Sequence, residues 1–250
     1  MSNSILNSRE ERFIYIQELS KTYPNLIVLK ANTPGLDKNR YSSYFLIEQL
    51  NSIIEKGFLI DFKILKKGFD GPYYVYAISN KVDKDIKLML IAIEEEHSLG
   101  RFIDLDLYMD SKMISRQDLN LKSRNCMLCE YSAIDCMRNS RHTTIEILDH
   151  IDHQICTYLK DNIKAIIKTS MLNEFNLEHK FGLVTPTSMG SHLDMDYKMM
   201  LDSIDVLLPF FLEIFELSFT SPNDNDLFLK ANLIGLKAED AMFRQTQNIN

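Results

Sequence analysis

Apolar residues fall into helical and strand rhythms along the first two thirds of the chain. Behind Ser8-Arg9-Glu10-Glu11, Phe13, Ile16 and Leu19 recur at helical spacing. That tetrapeptide reads as a capping box, in which hydroxyl and carboxylate each satisfy an orphan backbone N–H. The helix is predicted to end near Tyr23-Pro24, and Leu26-Ile27-Val28-Leu29 to form a buried strand. A loop through Asn32-Thr33-Pro34-Gly35 follows, because Pro and Gly forbid regular structure there. Leu46, Ile47, Leu50, Ile53 and Ile54 then repeat at helical period up to Gly57, read as a left-handed cap. Three strands are predicted next, over 58–65, 73–78 and 86–93. Gly68-Phe69-Asp70-Gly71-Pro72 and residues 80–85 serve as hairpin-like connections between them. Residues 102–109 alternate, with Phe102, Asp104 and Asp106 on one face and Ile103, Leu105 and Leu107 on the other.

A second capping box, Thr143-Thr144-Ile145-Glu146, opens a helix whose core face is Ile145, Leu148, Ile151, Ile155 and Leu159. From about residue 161 the strand signals stop. Helices are predicted over 163–175, 195–217 with a kink at Pro209, and 226–246. The reading is therefore α+β. A mixed sheet with flanking helices is expected over residues 1–160, followed by an all-α segment over 161–250.

Composition narrows the function classes. With 45% hydrophobic residues, 25% charged and only 8 Gly and 6 Pro, the chain is neither disordered nor fibrous. A net charge of -7 leaves no surplus of Lys and Arg for general nucleic-acid binding, so any phosphate must be gripped locally. Residues 1–12 carry charges and no apolar run, and no stretch of about 18 apolar residues occurs. No membrane association and a cytoplasmic location are expected.

Two constellations carry candidate chemistry. Asp104 and Asp106 place two carboxylates on one strand face, where a divalent cation relieves their repulsion. Such a pair holds Mg²⁺ for phosphoryl or nucleotidyl transfer, although a solvent-facing strand can also display acids. Upstream, His97, Gly100 and Arg101 add an imidazole, a position for close backbone approach and a cation for phosphate, with Arg116 as a second clamp. Glu94, Glu96 and Asp118 are alternatives for a third carboxylate. Separately, Cys126, Cys129, Cys136 and His142 offer three thiolates and an imidazole, a set that suits structural Zn²⁺ or reads as buried or reactive thiols. Further on, Gly190-Ser191-His192-Leu193-Asp194-Met195-Asp196 gathers an imidazole and two acids at a helix start.

The run from Glu96-His97-Ser98-Leu99-Gly100-Arg101 through Asp104-Leu105-Asp106, then Ile114-Ser115-Arg116, Arg124-Asn125-Cys126-Met127-Leu128-Cys129 and Cys136 to His142, resembles the holo-citrate lyase synthases. These are the apo-citrate lyase phosphoribosyl-dephospho-CoA transferases. Asn32-Thr33-Pro34-Gly35-Leu36-Asp37-Lys38 resembles the early loop of the same family. The resemblance implies transfer of a phosphoribosyl-dephospho-CoA group from 2'-(5''-triphosphoribosyl)-3'-dephospho-CoA to a serine of the acyl carrier (gamma) subunit of citrate lyase, releasing diphosphate. Asp104 and Asp106 would hold Mg²⁺, Gly100, Arg101 and Arg116 would bind phosphates, and His97 would take the serine proton or position a phosphate.

The remainder resembles the triphosphoribosyl-dephospho-CoA synthases, which make that donor from ATP and dephospho-CoA with loss of adenine. Gly182-Leu183-Val184-Thr185-Pro186, the run containing His192, Asp194 and Asp196, and Ala238-Glu239-Asp240-Ala241-Met242 carry it. His179-Lys180-Phe181-Gly182 lacks that family's two prolines, and its Thr-His-Lys-Gly motif is not reached. The expectation is a fusion, transferase first, with a truncated and inactive synthase segment whose His192, Asp194 and Asp196 are vestigial. The rival readings are a bifunctional or fragment synthase, a non-catalytic carrier-binding module, and a zinc-containing regulatory module.

Overall fold

The computed structural model describes residues 2–79 and 84–172 and the single positions 209, 210, 213, 233, 237 and 241. The helices predicted over 195–217 and 226–246, and His192, Asp194 and Asp196, lie outside the described residues save for those single positions. Two compact units divide the chain, Met1–Ile151 and Asp152–Asn250. The first contains every strand described and is built in the order α1 (Ser2–Ser20), β1 (Asn25–Ala31), α2 (Tyr41–Gly57), β2 (Ile60–Gly68), β3 (Gly71–Ile78), α3 (Lys84–Glu96), β4 (Ile103–Met109), β5 (Lys112–Ile114), α4 (Ala133–Arg138) and the start of α5 (Thr144–Leu172). Single 3-10 turns, Gly100–Phe102 and Gln117–Leu119, precede β4 and follow β5.

The strands form one sheet in the order β2-β3-β1-β4-β5. All four pairings are antiparallel, which corrects the expected mixed sheet. The reason is topological: α2 returns the chain so that β2 runs parallel to β1, but β3 lies between them, and no parallel ladder forms. Apolar periodicity carries no information about such neighbours.

Each sheet face has its own cover. Leu26 and Val28 of β1, Tyr73, Val75 and Ala77 of β3, and Tyr108 of β4 pack with Ile16 of α1. On the opposite face, Ile27, Leu29, Tyr74, Tyr76, Leu105 and Leu107 are buried, as are Leu46, Ile47, Leu50 and Ile54 of α2 and Leu90 of α3. Tyr74 donates its hydroxyl hydrogen to Glu48 at 2.5 Å and Tyr76 donates to Asn51 at 2.9 Å, so buried phenols keep polar partners in α2.

Four local predictions are corrected. Residues 86–93 belong to α3 rather than a strand: Ile86, Leu90 and Ile91 are buried while Leu88 and Met89 are exposed, a helical period that a short apolar run hides. The box at Ser8 does not start a helix, since α1 already begins at Ser2. Ser8 Oγ instead accepts the Phe69 N–H at 3.0 Å and ties α1 to the β2–β3 turn. Gly57 is not a left-handed cap: the glycines of positive φ among the described residues are Gly35 and Gly71, and α2 closes through the Phe58 N–H donating to Ile54 O. The second box is present as predicted, with Thr143 N–H donating to Glu146 Oε2 at 2.7 Å and Glu146 N–H to Thr143 Oγ1 at 3.1 Å. Ile145, placed by the pattern on the core face, is exposed. No described helix is long and apolar enough to cross a membrane.

Candidate active site

β4 is paired with β1 along one side, but β5 spans only three residues and meets β4 only at Leu107, Tyr108 and Met109. The edge of β4 ahead of that point therefore needs other partners for its backbone. Side chains supply them. Glu94 Oε1 accepts the Leu105 N–H at 2.8 Å, Lys87 Nζ donates to Leu105 O at 2.7 Å, and Arg124 Nη2 donates to Ile103 O at 2.9 Å. Completing the strand edge thus delivers a carboxylate and two cations to the segment bearing Asp104 and Asp106.

The acids project from the same face, as the alternation requires, and both lie partly exposed. Lys30 stands opposite Asp104 in the β1–β4 register. Its Nζ lies 2.6 Å from Asp106 Oδ2 and 3.4 Å from Asp104 Oδ2. Two hard carboxylate oxygens thus converge on one cation position, a donor pair that suits Mg²⁺. Arg124 Nη1 donates to the other Asp104 oxygen at 2.6 Å. Arg116 forks between Glu94 Oε2 at 2.9 Å and Glu95 Oε1 at 2.6 Å. Lys87, Glu94, Asp104, Asp106, Arg116 and Arg124 all line one cleft of about 380 Å³. Arg101, Lys122, Ser123 and Asn125 join Glu94, Arg116 and Arg124 around another of about 560 Å³.

Electrostatics follow this interleaving. Burial works against ionised Asp106, but the Lys30 charge and hydrogen bond, with help from Lys87 and Arg12, hold its carboxyl below the usual range. Burial likewise opposes the Lys30 ammonium, yet Asp106 and Asp104 raise it. Lys87 is lowered by burial, which Glu94 and Asp106 only partly offset. Arg116 is raised because its bonds to Glu95 and Glu94 outweigh burial. A carboxyl depressed in the folded state contributes stability above its unfolded value, about pH 4, and that contribution is lost as pH falls through the lower folded value. Wild-type urea midpoints are therefore expected to drop below about pH 4. Lys30→Met should be less stable at neutral pH and lose less over the acid range; an unchanged acid limb would separate Lys30 from Asp106.

Not every predicted residue enters the cleft. The Gly100 N–H donates to His97 O at 2.8 Å, and a Cβ there would lie 2.2 Å from Ile93 O. The glycine lets the turn pass against the end of α3. Gly100→Ala is expected to destabilise by about 2 kcal/mol, read as a lower urea midpoint. His97 belongs to the same turn, its Nδ1 accepting the Leu99 N–H at 3.1 Å, and it lines neither cleft. Burial pushes its pKa down. Arg101 donates to Asn125 O, and burial lowers it. Of the alternatives for a third carboxylate, Glu94 shares the cleft with Asp104 and Asp106, while Asp118 accepts from Ser115 N–H at 2.8 Å.

Lys30 and Lys87 escaped the sequence reading. Lys30 carries no local motif. Lys87 lies in the run misread as a strand, where period alone could have placed Lys87 and Glu94 seven residues apart on one helix face.

The second constellation also assembles. The ligand atoms of Cys126, Cys129, Cys136 and His142 all lie within 4.8 Å of one another. Cys129 Sγ is 3.3 Å from Cys136 Sγ and 3.2 Å from His142 Nε2.

Carboxylates and cations thus interleave along one cleft, on an α+β frame with an antiparallel sheet. Residues 2–158 match the family described as apo-citrate lyase phosphoribosyl-dephospho-CoA transferase, and residues 160–250 match ATP:dephospho-CoA triphosphoribosyl transferase. The chain belongs to the first of these families and continues into the second, a fusion in that order. It is similar to the protein named CitXG of Leuconostoc mesenteroides subsp. cremoris, 29% identical across 98% of this chain and 57% of that one. CitXG of Haemophilus influenzae is 27% identical across 99% of this chain and 55% of its own. A probable apo-citrate lyase phosphoribosyl-dephospho-CoA transferase of Streptococcus pyogenes serotype M18 is 31% identical over 64% of this chain and 88% of that protein. The chain thus spans a little over half the length of the two fusion relatives.

Proposed function

We propose that residues 1–160 transfer the phosphoribosyl-dephospho-CoA group from its triphosphate donor to a serine of the citrate lyase acyl carrier subunit, releasing diphosphate. The observation that carries this reading is the cleft in which Asp104, Asp106 and Glu94 alternate with Lys87, Arg116 and Arg124. The carrier hydroxyl attacks the α-phosphorus of the donor, and the cleft's cations offset the charge that builds on the departing diphosphate. Arg124 and Arg116 are held at the cleft by Asp104, Glu94 and Glu95, which keeps their guanidinium planes oriented before substrate arrives. Arg101 extends the positive lining toward the wider cleft. Lys30, bound to Asp106 and close to Asp104, keeps the Asp106 carboxyl ionised. Asp104 and Asp106 would hold Mg²⁺, which when bound neutralises phosphate oxygens and polarises the reacting phosphorus.

This chemistry requires donor, carrier and divalent cation together. Diphosphate release should be observed only with all three; an equal rate without the carrier subunit would make the protein a donor hydrolase, and no release would favour a non-catalytic carrier-binding module. The match of residues 160–250 favours a second reading, triphosphoribosyl-dephospho-CoA synthesis by the remaining segment. Adenine release from ATP and dephospho-CoA tests it separately.

A further inference from the structure

We propose that Cys126, Cys129, Cys136 and His142 bind one Zn²⁺ in a closed tetrahedral site, and that this ion fixes the loop presenting Arg124 and Asn125. The inference stands whether or not the transferase reading holds.

Four potential ligands from three separate pieces of structure meet at one point. Cys126 and Cys129 come from a tight loop closed by the Cys126 N–H donating to Tyr131 O at 2.7 Å and the Ala133 N–H donating to Arg124 O at 2.9 Å. Within it, the Leu128 N–H points at Cys126 Sγ at 3.5 Å, as in metal knuckles where backbone amides stabilise the thiolate. Cys136 is buried in α4, which Ser132 caps by accepting the Asp135 N–H. His142 immediately precedes the reciprocal Thr143–Glu146 cap of α5, so its backbone direction is fixed. The cysteines are free thiols. Sulfur and nitrogen atoms 3.2–3.3 Å apart stand slightly inside the roughly 3.8 Å edge of a tetrahedron with Zn–S bonds of about 2.3 Å, so small rotamer changes open the cage to the ion. Three thiolates and one imidazole complete four-coordination and leave no open position, which makes the site structural rather than catalytic.

The placement gives the ion a task. Arg124 lies two residues before Cys126, and its guanidinium binds Asp104 Oδ1, Ile103 O and Gly100 O. Asn125 lies one residue before it and accepts Arg101 through its carbonyl. This stretch has little regular structure beyond the bridge between Asn125 and Ser132. Cross-linking it to α4 and to the start of α5 through a metal holds both arginines where the clefts need them.

Zinc measured by elemental analysis in the full chain, purified under reducing conditions, is expected at about one ion per chain. Cys129→Ser and His142→Ala should each fall below about one tenth of that, while Cys156→Ser keeps it. Should the variants fail to fold, Co²⁺ added to the metal-stripped wild-type chain should give the intense visible bands and thiolate charge-transfer absorption of tetrahedral sulfur coordination. Zn²⁺ should bleach both. A reduced wild-type chain without zinc that takes up neither Zn²⁺ nor Co²⁺ would overturn the assignment, as would full zinc retention in the Cys129→Ser, His142→Ala double variant.

Discussion

Asp104→Asn is expected to lower the rate of carrier modification by about 10²–10³-fold while leaving the fold nearly unchanged. The substitution keeps size and one acceptor oxygen, so Arg124 retains a partner where it now meets Oδ1 at 2.6 Å. What it removes is one negative charge from the position where Asp104 and Asp106 converge on a cation. Removing one preoriented group that stabilises transition-state charge typically costs about 3–4 kcal/mol of barrier, which sets the factor. The side chain is partly exposed, so folding loses little. Single-turnover rates with matched circular dichroism spectra check both halves. Wild-type turnover in this variant would take Asp104 out of the reacting centre.

The second large effect falls on stability. Glu94 is 5% exposed and serves three partners: it accepts the Leu105 N–H at 2.8 Å, receives Arg116 at 2.9 Å and lies 3.8 Å from Arg124. Glu94→Ala leaves the Leu105 N–H without its acceptor and takes from Arg116 its buried carboxylate partner, so that Arg116 keeps only the exposed Glu95. Breaking a buried charged pair from one side costs about 3–5 kcal/mol. Glu95 also binds Arg116 but is 59% exposed, so Glu95→Ala should cost no more than about 0.5 kcal/mol. Because the chain has 11 Tyr and no Trp, near-ultraviolet tyrosine signals in urea report the unfolding. Equal losses in the two variants would mean that the strand edge is not held through Glu94.

The acid pair was readable because a strand's two-residue period is strict: Ile103, Leu105 and Leu107 are buried and Asp104 and Asp106 are not fully so. The Thr143–Glu146 box was readable because its chemistry is local, and its reciprocal hydrogen bonds are present. The companion box at Ser8 shows the limit of such motifs. The same residues occur within α1, where Ser8 serves a distant turn. Lys30 reaches Asp106 across 76 positions, and Arg124 reaches Asp104 across 20. Contacts of that kind are set by strand order and the shortness of β5, neither of which apolar spacing encodes. Gly100 was singled out for close approach, and the backbone of α3 at Ile93 and Glu94 does approach it closely.

Group transfer to a carrier protein is read in the intact mass of the apo acyl carrier subunit. The subunit would be incubated with the full chain, Mg²⁺ and preformed triphosphoribosyl-dephospho-CoA, beside a carrier whose acceptor serine is alanine. A mass gain equal to one phosphoribosyl-dephospho-CoA group is expected on the serine form alone, sharply slowed in Asp104→Asn. An unmodified serine carrier in the presence of intact donor, or equal gain on the alanine form, would contradict it.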